Sequence, residues 1–118
     1  MLLKVLKGKI HRATVTASRI DYPGSVGVDT DLLEAAGILP YEAVLMANVT
    51  NGQRAETYVV PAEAGSGRVE VLGAAARLFS PGDIVILINF AFCTPEEARQ
   101  IKPKVVMPDE KNGIGRVL

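Results

Sequence analysis

The sequence has one cysteine, Cys93, and one histidine, His11, and neither charge sign is in excess. A single thiol cannot form an internal disulfide, and one Cys with one His cannot complete a structural zinc site. The 13 Lys and Arg balance the 13 Asp and Glu, so the electrostatic attraction that holds nucleic acid or an anionic membrane is absent. We therefore expect a cytoplasmic protein with no metal and no nucleic-acid partner.

The chain also lacks long apolar runs and nucleotide motifs. Its longest uncharged stretch, residues 84–95, is far shorter than the ~20 residues of a membrane span. Neither G-x-x-x-x-G-K-[ST] nor a strand-to-helix G-x-G-x-x-G occurs, so no nucleotide-binding loop is predicted. We expect no membrane contact, and any catalysis must use groups that the chain itself supplies.

The length and composition predict one packed domain over residues 1–118. The chain is 48% hydrophobic and 22% charged, which is enough apolar surface for a core. Its 11 Gly and 7 Pro divide the sequence into short apolar runs, a spacing typical of a compact β-rich domain. About six strands with two or three short helices indicate a small barrel.

Period-two alternation and turn residues predict the strands. Alternation over residues 10–17 predicts one strand with Lys9 and His11 on its apolar face. Residues 43–49 and 54–60 flank Asn51-Gly52 and predict a hairpin. Further strands are predicted over three segments: residues 68–72, residues 84–90 as a central strand, and residues 104–107.

Capping patterns predict the helices. Asp31-Leu-Leu-Glu34 resembles a capping box, with Gly37 placed to end that helix. Thr94 is the predicted N-cap of a second helix, which Pro103 ends, and the residues after Pro108 are weakly specified. Residues 74–76 predict a third, short helix.

The dipeptide Gly24-Ser25 is the first candidate for chemistry. A glycine before a serine can hold an exposed peptide bond in strained geometry. Taken alone this evidence is weak, because Gly65-Ser66 is a second copy of the pair and either one reads as an ordinary turn.

Four separated motifs, taken together, make this dipeptide a stronger candidate for chemistry. In chain order they are Lys9-x-His11-Arg12, Tyr22-x-Gly24-Ser25, Asn51-Gly52-x-Arg54-x-x-Thr57-Tyr58 and Gly73-Ala-Ala-Ala76. This set, and the chain as far as about Pro108, resembles the bacterial aspartate 1-decarboxylase family. The resemblance implies a double-psi β-barrel, a homotetramer, and formation of β-alanine for pantothenate and coenzyme A synthesis.

The resemblance also implies that the chain is a proenzyme that cuts itself between Gly24 and Ser25, into fragments 1–24 and 25–118. The Ser25 hydroxyl attacks the Gly24 carbonyl and the resulting ester eliminates. The dehydroalanine left at position 25 then hydrolyses to a pyruvoyl group and ammonia. In this resemblance Thr57 donates to the oxyanion. The implied cofactor is therefore the pyruvoyl group alone, with neither pyridoxal phosphate nor metal.

The implied reaction is decarboxylation of L-aspartate through a Schiff base with this pyruvoyl group. Tyr58 is the implied proton donor, and Arg54 and Lys9 suit a dianionic substrate. The other implied site residues are Thr57, Gly73, Ala74 and Ala75 at the substrate, with His11 and Tyr22 in supporting positions.

Two positions depart from the family pattern. Leu72 stands where members commonly carry Asn, and Ala47 stands where some carry a large aromatic residue. Leucine cannot make the hydrogen bond of an amide, which puts the rate of Ser25 maturation in question.

Alternative interpretations remain at this stage. Arg54 and Tyr58, four residues apart on one strand, share a face that a solvated hairpin would also present. Thr57 faces the other way in a regular strand, so a site shared with Tyr58 requires a twist, a bulge or a neighbouring subunit. Two rival functions are a β-barrel interaction module or inactive relative with an intact Gly24-Ser25 bond, and a hydrolase in which His11 activates Ser25.

Overall fold

Strands dominate the computed structural model, which describes all residues 1–118. The elements in chain order are β1 (Leu3–Thr14), β2 (Ala17–Arg19), β3 (Ser25–Asp29), α1 (Thr30–Ala36), β4 (Ala43–Asn48), β5 (Arg54–Ala62), β6 (Val69–Leu72), a 3₁₀ helix (Gly73–Leu78), β7 (Ile84–Cys93), α2 (Pro95–Gln100), β8 (Lys104–Pro108) and β9 (Ile114–Val117). The predicted mainly β fold with short helices is confirmed. None of the helices has the length and apolar character needed to cross a bilayer.

The nine strands form one mixed sheet in the order β2-β6-β3-β5-β4-β7-β1-β8-β9. β3 is central to one part of this sheet, because it pairs in parallel with β5 and antiparallel with β6. β7 is central to the other part, between β1 and β4, as the apolar run predicted. The arrangement is consistent with the barrel that the resemblance implies, although β2 and β9 remain unpaired edges.

One hydrophobic core lies on a single face of this sheet. A cluster of 19 buried residues draws on seven of the strands and on α1, with Ile10, Val26, Met46, Val59 and Leu87 all 0% exposed. Strands this far apart in the sheet order reach one cluster only if the sheet curls around it. The opposite face is therefore convex, and side chains on it diverge.

A β-bulge in β1 corrects the predicted orientation of Lys9 and His11. Ile10 pairs with Leu87 and Ala13 pairs with Val85, so two residues of β1 stand opposite one residue of β7. Arg12, within this bulge, has a φ of 70°. The extra residue reverses the alternation, and Lys9 and His11 lie on the face opposite the buried Ile10 and Ala13.

The predicted first strand over residues 10–17 is also wrong in its limits. Strand β1 ends at Thr14, and a new strand begins at Ala17. The Val15 N–H donates to the Asp83 carbonyl, whereas the Thr16 N–H donates to the Val69 carbonyl. The chain therefore changes its partner strand from β7 to β6 between these two residues.

The helices follow the capping prediction with one correction. Thr94 caps α2 through the predicted capping box with Glu97, and Gly37 ends α1 with a φ of 67°. The N-cap of α1, however, is Asp29 rather than Asp31, because the Asp29 carboxylate accepts a hydrogen bond from the Asp31 N–H.

The hairpin of β4 and β5 is confirmed, and Gly52 in its loop has a φ of 79°. The predicted strand at residues 104–107 is also present, but it is not the last one. Residues 114–117 form β9, which the sequence analysis treated as weakly specified. Buried Asn112 anchors this segment, since its side chain donates to the carbonyls of Thr14 and Gly67.

Candidate active site

Ser25 opens β3 and lies between β6 and β5. Leu72 is its antiparallel partner on β6. On the other side Val26 pairs with Val59, so one step back along these parallel strands brings Tyr58 beside Ser25. Val26 and Val59 face the core, and alternation puts Ser25, Tyr58 and Leu72 together on the opposite face. Ser25 is only 5% exposed, whereas Tyr58 is 39% exposed.

Thr57 precedes Tyr58 on β5 and is the candidate partner of the other half of the cleavage bond. The register of β3 with β5 begins at Val26 and Val59, and counting back two residues on both strands leads to Gly24, in a bend before β3, and to Thr57. Thr57 pairs with buried Val44 and so faces the core side, opposite to Tyr58. Strand β5 has no register shift against either neighbour. A regular β5 therefore presents Tyr58 beside Ser25 and Thr57 one residue earlier, on the core side.

Gly73 packs directly against Gly24. A Cβ atom on Gly73 would lie 2.5 Å from the Gly24 Cα, 2.8 Å from the Gly24 nitrogen and 3.0 Å from the Tyr22 carbonyl oxygen. Gly73 also has a φ of 82°, which side chains rarely adopt. Only glycine satisfies both conditions, so Gly73 allows the segment before Ser25 to lie against the start of the 3₁₀ helix.

Gly24 itself does not have the strained backbone that the sequence suggested. Its φ lies outside the left-handed region, and an added Cβ would meet nothing within 4 Å. The fold of the intact chain thus makes no steric demand for glycine at position 24.

The 3₁₀ helix holds the two predicted alanines after Gly73. Ala74 is exposed and Ala75 is half-buried. The Ser18 hydroxyl donates to the Ala76 carbonyl at 2.8 Å, which ties this helix to β2. Tyr22 is 53% exposed in the connection between β2 and β3.

Arg54 shares the outer face with Tyr58 but stands at the far end of the strand. They are four positions apart on β5, which corresponds to about 13 Å. Ala47 is the partner of Arg54 on β4 and also pairs with Ile86 on β7. The small residue that departs from the family pattern therefore lies next to Arg54, and the other departure, Leu72, lies next to Ser25.

Lys9 is remote from Ser25 within one chain. It pairs with Ile88 on β7, which pairs with Leu45 on β4, which pairs with Glu56 on β5. Three strand spacings, about 14 Å along the sheet, thus separate Lys9 from β5, and Ser25 lies one strand further on.

His11 lies in the β1 bulge, two residues from Lys9. Its Nδ1 atom is buried without a hydrogen-bond partner. Burial lowers the pKa of the imidazole, and the positive charges of Lys9 and Arg12 lower it further. The sheet order interposes three strands between His11 on β1 and Ser25 on β3, so the pairing that a His11-activated hydrolase needs is not formed by the sheet.

The convex face carries an apolar groove next to these residues. Phe92 is 70% exposed on β7, and the Lys4 ammonium lies 4.5 Å from the centre of the Phe90 ring. The groove encloses about 130 Å³ and is lined by Lys4, Ala43, Val44, Leu45, Glu56, Phe90 and Phe92.

Asp29 is a structural residue of the site that the sequence analysis did not identify. Its buried carboxylate accepts hydrogen bonds from the N–H groups of Asp31, Gly65 and Gly67 at 2.8, 3.1 and 2.8 Å. These bonds anchor the end of β3, the strand that Ser25 begins. The sequence does carry one signal for this role, because Asp is a common N-cap residue and Asp29 directly precedes Thr30.

Comparison with known proteins gives a consistent result along the chain. A sequence model of the family described as aspartate decarboxylase matches residues 1–115. An aspartate 1-decarboxylase of Pelotomaculum thermopropionicum is 52% identical over 117 residues, covering 99% of this chain and 89% of the relative. That of Carboxydothermus hydrogenoformans is 50% identical over 117 residues, covering 99% and 92%. That of Desulfotalea psychrophila is 44% identical over 118 residues, covering 100% and 99%.

Proposed function

Since the chain belongs to the aspartate decarboxylase family, we propose that it decarboxylates L-aspartate to β-alanine and CO₂ and so supplies pantothenate synthesis. The reactive group is a pyruvoyl group made from Ser25 by cleavage of the Gly24-Ser25 bond. The observation that carries this proposal is the setting of that bond, with Thr57 and Tyr58 on one side and Gly73 packed against Gly24.

Self-cleavage begins with attack of the Ser25 Oγ on the Gly24 carbonyl carbon, which converts the amide to an ester. Thr57 donates a hydrogen bond to the oxyanion, an interaction worth about 3 kcal/mol in other acyl transfers. Elimination then breaks the Cβ–Oγ bond of residue 25 and releases Gly24 as a carboxylate. Water adds to the resulting dehydroalanine and ammonia leaves, which produces the ketone.

The residues around Ser25 fit a pyruvoyl group. The backbone that packs against Gly73 belongs to Gly24 and Tyr22, on the fragment that is cut away, and a pyruvoyl group is no larger than the serine it replaces. The group supplies a carbonyl that condenses with the substrate amine and accepts the electrons released with CO₂. In the uncut chain Ser25 is 5% exposed, so departure of Gly24 also opens the route by which substrate reaches position 25.

Tyr58 and Arg54 have separate tasks in this proposal. The Tyr58 phenol shares the outer face with residue 25 and delivers a proton to the substrate α-carbon. Arg54 stands further along β5, and its guanidinium offers a two-pronged contact to the carboxylate at the other end of aspartate. One strand thus carries both the proton donor and a group that selects for a dicarboxylate.

Lys9 requires a second copy of the chain. Side chains on the convex face diverge, and Lys9 lies four strand spacings from Ser25 in the sheet order. The exposed apolar surface around Phe92 and Phe90 supports association on this same face. We therefore propose a homotetramer of four 12.6 kDa chains, in which a neighbour supplies Lys9 to each site.

Intact-mass measurement tests the proposed cleavage. The expected result is two fragments, with fragment 25–118 carrying a ketone in place of the serine amine. The Ser25→Ala variant is the control and stays uncut and inactive. An active wild-type chain with its Gly24-Ser25 bond intact contradicts the proposal.

Mixed assembly tests the shared site. Chains with Lys9→Ala and chains with Ser25→Ala are each expected to be inactive, and their co-expression restores activity because a mixed site has Ser25 from one chain and Lys9 from the other. Arg54→Ala is the matched control, since Arg54 and Ser25 act from the same chain and co-expression with Ser25→Ala restores nothing. Equal rescue of both variants, or of neither, contradicts this assignment.

We also assign the chain to the cytoplasm. The support is chemical, because its only thiol, Cys93, is buried and unpaired.

A further inference from the structure

Arg19 lies in the same cross-strand row as Ser25. Strand β2 pairs with β6 so that Arg19 stands opposite Leu72, and β6 pairs with β3 so that Leu72 stands opposite Ser25. Residues of one row share a face, and two strand spacings put the Cα atoms of Arg19 and Ser25 about 10 Å apart. Tyr58 lies on the other side of Ser25, so the row runs Arg19, Leu72, Ser25, Tyr58.

Arg19 and Arg68 share one carboxylate, that of Glu70. The Arg19 Nε lies 3.9 Å from one oxygen of Glu70, and the Arg68 Nε lies 3.8 Å from the other. Both separations exceed the length of an N–H···O hydrogen bond. Both arginine side chains are about half exposed, at 51% and 56%. Because the two arginines share one carboxylate and neither is within hydrogen-bond distance of it, the Arg19 guanidinium can leave Glu70 and bind another anion.

The segment before Ser25 already touches Arg19. The Arg19 guanidinium carbon lies 6.0 Å from the centre of the Tyr22 ring, a cation–π separation. Tyr22 precedes Gly24 by two residues, and its carbonyl packs with Gly24 against Gly73. The cation and the future chain end are therefore neighbours before any bond is cut.

The proposed self-cleavage adds a negative charge to the protein without adding a positive charge. Ordinary hydrolysis of a peptide bond yields a carboxylate and an ammonium group together. In the proposed reaction the nitrogen of residue 25 leaves as ammonia, and fragment 25–118 begins with an uncharged ketone. The Gly24 carboxylate is thus a new negative charge with no new cation beside it.

We propose that Arg19 binds the Gly24 carboxylate after cleavage and holds the end of fragment 1–24 on the β2 side of residue 25, away from Tyr58. This inference rests on the proposed self-cleavage. Leu72, which separates Arg19 from Ser25 in the row, offers no competing charge or hydrogen bond. Arg19 is a positioning residue in this scheme: it keeps the spent chain end from occupying the face on which aspartate and Tyr58 meet.

Backbone dynamics of Gly24 in cut, ¹⁵N-glycine-labelled protein test the inference. In the wild type we expect an ordered Gly24 amide, with an order parameter of about 0.85, and in Arg19→Gln a drop below about 0.6. Arg19→Lys retains most of the order, and Arg68→Gln is the matched control that leaves it unchanged. In the uncut Ser25→Ala background, Arg19→Gln leaves Gly24 ordered, which a merely structural role of Arg19 does not predict.

The outcomes separate the two proposals. A wild-type chain that is never cut overturns the proposed function and this inference with it. If the wild type is cut but its Gly24 is mobile, only the inference about Arg19 is overturned. The same holds if Gly24 is as ordered in Arg19→Gln as in the wild type. If Arg19→Gln does not fold or does not cut, the wild type at high salt decides: screening of a half-exposed ion pair in 1 M NaCl is expected to mobilise Gly24, and an unchanged order parameter overturns the inference.

Discussion

Gly73 touches Gly24 so closely that no side chain fits between them, since a Cβ on Gly73 would come within 2.5 Å of the Gly24 Cα. Of the two glycines, the fold requires the one on the 3₁₀ helix rather than the one at the candidate cleavage bond. The shape of the segment before Ser25 is therefore imposed from β6 and the helix that follows it.

We expect Gly73→Ala to destabilise the fold by about 1–3 kcal/mol, because the new methyl meets backbone and the residue must keep a positive φ. It also displaces the segment at Gly24 and slows self-cleavage. Gly24→Ala is the matched control for the fold, and it changes the free energy of unfolding by less than about 0.5 kcal/mol. Urea unfolding and intact mass measure the two effects. Equal destabilisation by both substitutions contradicts the packing argument.

Tyr58→Phe removes the proposed proton donor and nothing else. We expect self-cleavage to continue and kcat to fall by about 10²–10⁴-fold with little change in KM. Tyr41→Phe is the control, because the Tyr41 ring lies 6.5 Å from the Tyr58 ring and loses the same hydroxyl. Steady-state kinetics on fully cut protein make the comparison. Unchanged turnover in Tyr58→Phe shows that another group, or water, delivers the proton.

The sequence predicted the hairpin, the central strand and the α2 capping box because each depends on residues close together in the chain. The β1 bulge was missed for the same reason. Nothing in residues 10–13 shows that two of them face a single residue of β7, and this one extra residue reverses the face of Lys9 and His11. Strand β9 was missed because Asn112 anchors it to Thr14, 98 residues away in the chain.

In the candidate site, too, the sequence predicted what depends on nearby residues and missed what depends on distant ones. The family resemblance pointed to Ser25, Thr57 and Tyr58, but their neighbourhood follows from the parallel pairing of β3 with β5, which no local pattern encodes. Arg19 was missed because its relation to Ser25 passes through Leu72 on a third strand. Asp29 was missed because two of its three hydrogen bonds come from a distant loop.

Asp29→Ala tests the anchor at the end of β3. The substitution removes a buried carboxylate that accepts three backbone hydrogen bonds and leaves those N–H groups without a protein partner. We expect it to lower the free energy of unfolding by about 2–4 kcal/mol. Asp31→Ala, two residues away and exposed, changes it by less than about 0.5 kcal/mol. A larger loss from Asp31→Ala means that Asp31 is the N-cap after all.

Because of His11 we expect stability to depend on pH near 6.5, above the pH range in which carboxylates titrate. Its pKa in the folded chain is lowered from 6.5 by burial and by the charges of Lys9 and Arg12. Below pH 6.5 the unfolded chain therefore takes up a proton that the folded chain resists, so stability falls as the pH drops from 6.5 towards the folded pKa. Well above 6.5 the imidazole is neutral in both states and contributes no slope.

Denaturant unfolding between pH 5.5 and 7.5 measures this slope. We expect it in the wild type and expect His11→Gln to flatten it, while an NMR titration of the single imidazole gives a midpoint below 6.5. A midpoint above 6.5 contradicts the lowered pKa, because it means that a negative partner stabilises the imidazolium.

Phe92→Ser tests whether the outer face of β7 joins the subunits. An aromatic ring that is 70% exposed beside a groove with an apolar floor gains burial only when another chain covers it. We expect the substitution to shift light-scattering mass from four chains towards one or two while the strand content of each chain persists. Activity is expected to fall with the assembly, because the proposed site takes Lys9 from a neighbour. Leu39→Ser is the control, since Leu39 is 66% exposed outside the sheet. An intact tetramer in Phe92→Ser places the subunit contact on another surface.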